Sequence, residues 1–312
     1  MLPYIIRRLL WLPVLISIII LITFTLGFYG PGGPEVVLLG QNYDPDSEIT
    51  KMIRAQWGMD DPPAVQYLRY LQNYASLNFG DSLVVKRNKP ISELMAERLP
   101  ITVQLSAASM LLGIPLGITL GVVAATFRGS TLDRSIIFST TFIRAIPVMA
   151  AGPILLTIFA GRLRILPAGG WDGIFSASAI LPVLLMASGA VGGYARITRA
   201  SVLDVLGSDY VRTARAKGLS EKMLMVRHVL RNAFIPLITF LGFALGSLVE
   251  GALITETLFS IPGMGRLGFE AINSRDYPII VALTVLTAFS FAIANLVADL
   301  FYGVADPRIR HS

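Results

Sequence analysis

The chain has 312 residues, 54% of them hydrophobic and 15% charged, with a mean hydropathy of +0.66. Soluble domains carry about 25% charged residues, so this composition excludes an ordinary soluble globular protein and points to a polytopic membrane protein. The net charge of +6 reads as cationic loops facing anionic lipid rather than as a nucleic-acid surface, and the absence of cysteine excludes a disulfide framework, a thiolate metal site and a Cys nucleophile.

The first element is an apolar run from Leu9 to Phe28 behind Arg7 and Arg8. A signal-peptide core is about 7–15 residues long. This run is longer, and its exit, Phe28-Tyr29-Gly30-Pro31, offers no small-x-small cleavage pattern. It is expected to stay in place as a first membrane helix over 9–29. A crossing needs about 20 apolar residues, and further crossings are expected at 101–127, 136–160, 179–195, 234–255 and 279–302.

Six crossings put both termini on one side, together with 128–135 and 196–233. That side holds Arg128, Arg134, the basic run from Arg196 to Arg231, and Arg308 and Arg310. The positive-inside rule makes it cytoplasmic. Segment 30–100 then lies outside. It opens on Gly30-Pro31-Gly32-Gly33-Pro34, carries amphipathic helical patches at 46–57 and 63–76, and turns at Gly80-Asp81-Ser82. Ile91–Leu99 reads as a helix leading into the membrane. The expected organisation is a tail and first helix at 1–29, a small extracytoplasmic subdomain at 30–100, and a membrane core at 101–312.

Within the crossings, Gly113, Gly117, Gly121 and Ala125 recur every four residues, and Gly242 and Gly246 repeat the spacing. Small residues at this interval let helices approach closely. Pro115, Pro147 and Pro153 are candidates for kinks. Arg144 and Glu250 are charges at membrane depth, which cost about 2.5–3.5 kcal/mol each unless they meet water or a partner. Both are candidates for lining a translocation route, or for pairing with a polar neighbour.

The insert at 196–233 is basic and helix-forming. Ser208 or Asp209 can cap a helix whose Tyr210, Val211 and Ala214 share a face, with Arg212, Arg215 and Lys217 toward water. Gly218 stands where a left-handed C-terminal residue is expected. Ser220 caps a second helix with Glu221 in its first turn and an apolar stripe of Met223, Val226, Val229 and Leu230. The small residues Ala214, Ala216 and Gly218 permit another surface to come close. Pattern alone leaves two readings open, a docking element or a basic helix lying on lipid headgroups. The chain has no Gly-x4-Gly-Lys-Ser/Thr, no His-Glu-x2-His and no Gly-x-Ser-x-Gly, so it is not expected to be an enzyme.

The stretch Tyr210-Val211-Arg212-Thr213-Ala214-Arg215-Ala216-Lys217-Gly218-Leu219-Ser220, followed by Arg227-His228-Val229-Leu230-Arg231-Asn232 and Pro236, resembles the EAA loop of ABC importer permeases of the dipeptide/oligopeptide/nickel branch. Arg212, Thr213 and Ala214 stand where Glu-Ala-Ala would be. Phe79-Gly80-Asp81-Ser82-Leu83, Glu256-Thr257-Leu258-Phe259-Ser260-Ile261-Pro262-Gly263-Met264-Gly265, Arg275-Asp276-Tyr277-Pro278 and Asp306-Pro307-Arg308 are similar to the same branch, and the long outer segment to its "B"-type subunit. The resemblance covers nearly the whole chain.

The resemblance implies an all-α type I ABC importer permease fold with six transmembrane helices. It implies that the insert is a coupling helix seated in a cytoplasmic ATPase, carried by Asp209, Tyr210, Arg212, Ala214, Arg215, Ala216, Lys217, Gly218, Leu219 and Ser220. Peptides or a related small solute would cross the cytoplasmic membrane of a bacterium or archaeon by alternating access. The partners implied are a second permease, two ATPase subunits that bind the ATP and Mg, and an extracytoplasmic substrate-binding protein; no cofactor falls on this chain and no nucleic acid is expected. Arg144 and Glu250 belong to no family motif. The alternative is a self-sufficient secondary transporter or channel, but no inverted repeat is apparent and membrane acids are few.

Overall fold

A computed structural model describes residues 2–29, 34–40, 43–56 and 58–305. The loop glycines 30–33, the C-terminal cations Arg308 and Arg310, and the side chains of Arg7 and Arg8 lie outside the described residues. Among those residues the fold is all helical, with one isolated bridge between Asp81 and Pro90.

Helix α1 (Leu2–Tyr29) is followed by three short outer helices, α2 (Pro34–Leu39), α3 (Glu48–Gln56) and α4 (Pro63–Ala75). Next come α5 (Ile91–Thr126), α6 (Thr131–Ala145), α7 (Val148–Leu155) with a π-helical turn at Leu156–Arg162, and α8 (Ala177–Leu206). The basic insert forms α9 (Asp209–Ala216) and α10 (Glu221–Met223), which continues as a π-helical turn at Leu224–Leu230. The chain ends with α11 (Arg231–Glu250), α12 (Leu253–Leu258), α13 (Met264–Ser274) and α14 (Tyr277–Ala305).

Among the described residues, five segments are long and apolar enough to cross a membrane, or six if the bent pair of α6 and α7 counts as one. That third crossing is not the continuous helix expected over 136–160. It bends by 93° between Ala145 and Val148. Pro147 lacks an N–H and pushes Ile146 out of the helical region, to φ −78 and ψ 118. The fourth crossing is longer than its apolar window. No proline falls between Tyr194 and Leu206, so α8 runs to Leu206 and takes in residues 196–206 of the expected insert. In the fifth, Gly251 takes φ +80 and ends α11 at Glu250, but the apolar segment runs on through α12 to Leu258. The lead-in helix 91–99 and the second crossing merge into a single α5 of 36 residues, about 54 Å at 1.5 Å per residue.

The four-residue glycine spacing has a defined partner. A Cβ on Gly113, Gly117 or Gly121 would sit 2.7, 2.8 or 2.5 Å from the carbonyl oxygens of Ala187, Val191 and Ala195, themselves four apart on α8. The α5 and α8 backbones therefore touch along three successive turns. Gly246 faces Phe291 and Ala294 on α14 in the same manner.

The outer segment is fastened at two places. Helix α4 lies on α1, where Tyr67 donates to the Ser17 carbonyl at 3.0 Å and Phe24, Tyr70, Tyr74 and Phe79 form a chain of ring contacts. The turn at 82–85 is held from the far end of the sequence. The fully buried carboxylate of Asp276 accepts from the Ser82 hydroxyl at 2.7 Å and from the N–H groups of Leu83, Val84 and Val85 at 3.2, 2.9 and 3.1 Å.

Candidate functional site

The insert is built from its turn outward. Ser208 occupies the N-cap position of α9, but its hydroxyl donates to the Val205 carbonyl at 2.6 Å and leaves the helix end uncapped by a side chain. One face of α9 is closed: Val211 is fully buried and Ala214 nearly so. They pack in a cluster with Ala125 at the inner end of α5, Val202 on α8, Leu224 and Val229 on the π-helical turn, and Ala233 at the start of α11. Leu219 is partly buried against the same cluster. The other face is open, with Asp209, Tyr210, Arg212, Arg215, Ala216 and Lys217 exposed. Tyr210 belongs to this open side rather than to the face of Val211 and Ala214, and its hydroxyl accepts from Asn232 at 2.8 Å.

Gly218 takes φ +80 and reverses the chain, and a Cβ there would meet nothing within 4 Å. Ser220 caps α10 through Met223 N–H at 3.4 Å. The turn is clamped by Arg215, which donates twice to Glu221, at 2.6 and 3.1 Å. That hydrogen bond, ahead of the ion–ion attraction, holds the Glu221 carboxyl below its ordinary range. A depressed pKa contributes stability above the unfolded value and loses it as pH falls through the folded one. Amide-exchange protection across 217–220 is therefore expected to stay level from neutral pH downward and to drop only on acidification below the usual glutamate range of about 4.3.

The apolar stripe expected on the second helix holds at Val229 and at Leu230, which is partly buried on the same cluster, and fails at its start. Met223 and Val226 are exposed, while Leu224 and Val229 are fully buried. The i→i+5 hydrogen bonding of 224–230 widens the helical turn, so the buried positions fall five apart instead of three or four.

Three buried polar arrangements had no assigned role in the sequence reading. Arg199 on α8 donates two bonds to Asp133 on α6, at 2.7 and 2.8 Å, and Asp133 also accepts from Gly129 N–H at 2.9 Å. The inner ends of α6 and α8 are tied together beside the insert. Glu256, fully buried, accepts from the Thr102 hydroxyl at 2.9 Å and from Arg266 N–H at 2.9 Å, at the positive end of α13, while Thr102 accepts from Met264 N–H at 2.7 Å. Asp276 is the third. The only local signal for any of them is an acid beside a turn or helix start; the partner is far away in sequence.

Arg144 and Glu250 are exposed and do not pair with each other. Arg144 sits on the last turn of α6 at the 93° bend, and Glu250 closes α11 before the Gly251 break. Among the described residues, no three His, Cys, Asp or Glu side chains gather in a way that could hold a metal ion.

Two family profiles match the chain. One, described as "Binding-protein-dependent transport system inner membrane component", covers residues 117–311; the other, "Binding-prot-dependent transport system membrane comp, N-term", covers residues 1–106. The oligopeptide transport system permease protein AppB of Bacillus subtilis (strain 168) is 37% identical, with all of both chains covered. The glutathione transport system permease protein GsiC of Salmonella paratyphi A is also 37% identical, again with both chains fully covered. Among solved structures, an inward-facing form of the MetNI methionine ABC transporter superposes with a TM-score of 0.58 at 16% identity, covering 69% of this chain and 97% of that one.

Proposed function

Since the chain belongs to the family of binding-protein-dependent transport system inner membrane components and is a permease subunit of an ABC importer, we propose that its cytoplasmic insert is the lever on which the importer's ATPase acts. The permease is multi-pass, works within a multi-subunit membrane complex and is not itself the ATPase. In this reading α9 and the Gly218 turn dock in a cleft of an ATPase subunit through Asp209, Tyr210, Arg212, Ala214, Arg215, Ala216, Lys217, Gly218, Leu219 and Ser220.

The observation that carries the reading is the two-sided burial of α9. Its inner face is locked to the ends of α5, α8 and α11 through the Val211–Ala214 cluster, and its outer face is free. A push on the free face then moves three membrane helices as a body, and packed cores transmit such displacements rather than absorb them. Closure of two ATPase subunits on ATP would swing this permease and a second, different permease between inward- and outward-open states.

The solute is a peptide or a related small molecule, by likeness to permeases named for oligopeptide and glutathione transport. It arrives from an extracytoplasmic binding protein that touches the 30–100 subdomain and the 256–278 segment. Core 101–312 carries it past Arg144 and Glu250. Both termini face the cytoplasm. None of the relatives named above is a channel or secondary transporter, and no observation favours that alternative.

Replacement of Gly218 tests the lever. At φ +80 an L residue is strained by about 1–2 kcal/mol, and a β-branched one most of all. With open space around the position, the strain acts on the path of the turn and not on packing. G218V is expected to cut ATP-driven uptake about tenfold in a complex that still assembles and hydrolyses ATP, while G218N, which tolerates the left-handed region, stays near the parent. Full uptake by an intact G218V complex would count against the lever.

A further inference from the structure

At the bend between α6 and α7 the chain opens a cavity of about 360 Å3, lined by Arg144, Ile146 and Val148 from the bend and by Leu184, Ser188 and Gly189 from α8. The stem of Arg144 lies along α8 over its glycines. A Cβ on Gly192 would be 3.2 Å from the Arg144 Cβ and 3.5 Å from its Cδ, and one on Gly193 would be 3.8 Å from Nη1. Gly189 faces open space. The missing side chains let the arginine run flat on the helix, at the edge of the cavity that it helps to line. Among the described residues no carboxylate forms an ion pair with it. A guanidinium at membrane depth is costly and ordinarily meets an anion or water. Val148 begins α7 in the same cavity, so the positive end of that helix adds to the field there.

We propose that Arg144 and the glycine face of α8 form a subsite that receives a carboxylate of the solute during translocation. This rests on the importer reading above and deepens it by naming the chemistry of the solute. The planar fork of arginine fits a carboxylate with two parallel hydrogen bonds. The cavity is at the small end of ligand sites, which span about 300–1,000 Å3. It holds one end of a small solute. Ile146, Val148 and Leu184 give the cavity an apolar wall beside the arginine, and an ion pair gains strength as its surroundings become less polar.

The test uses the complete importer with its binding protein and ATPases in proteoliposomes. The probes are trialanine, glutathione and trialaninamide, which lacks the terminal carboxylate. The binding protein is common to all variants, so its own preference cancels in each variant-to-parent ratio. Loss of a charge-assisted hydrogen-bonded pair is expected to lower trialanine or glutathione uptake by R144Q about tenfold or more, mainly through KM. R144K should recover part of that loss, and the trialaninamide ratio should stay near one. Parent-like acid uptake by R144Q overturns the subsite and leaves the importer intact. Equal losses of acid and amide, or loss of the assembled complex, would make Arg144 a structural or intersubunit residue and also overturn it. If the parent complex moves none of the three probes on ATP, the peptide-type solute reading fails first and the subsite falls with it.

Discussion

Valine in place of Gly121 is expected to abolish accumulation of the folded permease. The first added carbon would lie 2.5 Å from the Ala195 carbonyl oxygen, 2.7 Å from Thr198 Cβ and 3.1 Å from Arg199 N. Two of those three neighbours are backbone atoms of a helix, which no change of rotamer can move. Relief requires α5 and α8 to part. Parting them would also open the equivalent contacts at Gly117 with Val191 and at Gly113 with Ala187, and would strain the Asp133–Arg199 pair at the same end of the molecule. Overpacking of a core costs about 1–3 kcal/mol, and this site belongs at or above the top of that range. Whole-domain stability is of the order of 5–15 kcal/mol, so a large share of the margin is lost. Membrane abundance and monodispersity on size-exclusion chromatography in mild detergent read the effect. Gly189→Ala, on the same helix pair but with nothing within 4 Å of its added carbon, should behave as the parent in both measurements. A monodisperse, abundant G121V protein would show that the α5–α8 contact is not a close backbone seam.

Asp276→Ala is expected to release the outer turn at 82–85 without dismantling the membrane core. One carboxylate there accepts four hydrogen bonds, three of them from consecutive backbone N–H groups. Alanine leaves four donors without this acceptor, those of Ser82 and Leu83 buried and those of Val84 and Val85 part-buried. Each buried donor without a partner costs about 1–3 kcal/mol, and water entering a loosened turn offsets some of it. A net loss of about 3 kcal/mol or more at the turn corresponds to amide exchange at Leu83, Val84 and Val85 more than about 100-fold faster. Hydrogen–deuterium exchange by mass spectrometry on the purified complex resolves this segment from α5 and α8, which should hardly change. Asp276→Asn keeps one acceptor oxygen and the shape, and should fall between. If the outer subdomain receives a binding protein, D276A should also slow solute delivery while leaving basal ATP hydrolysis alone. Unchanged exchange at 83–85 in D276A would show that the turn is held by other means.

The apolar membrane segments were legible because their cause is local. Each apolar run had to reach about 20 residues, and the tally of six holds once the bent α6–α7 pair is taken as one crossing. The glycine spacing on α5 was legible for the same reason: a repeat of four places bare backbone on one helical face whichever helix fills it. Gly218 is another such case, since its left-handed φ follows from a residue that alone adopts it without strain.

What escaped the sequence was set by partners and by phase. The bend at Pro147 was legible as a kink, but its 93° angle, and the placing of Arg144 over Gly192 and Gly193, come from packing against α8. The stripe on the second insert helix was right at Val229 and Leu230 and wrong at Met223 and Val226, because the π turn buries Leu224 and Val229 five residues apart, and nothing in composition distinguishes 224–230 from an ordinary helix. Asp276 and its turn are separated by some 190 positions, as the bonds to Val85 and Ser82 span 191 to 194 residues. Sequence by itself determined which segments are apolar enough to cross a membrane, which faces are small, and where the basic elbow turns. Only the tertiary structure decided which helix each face meets and which distant donors each buried acid satisfies, because local patterns encode a need for burial or hydrogen bonding but carry no address for the group that meets it.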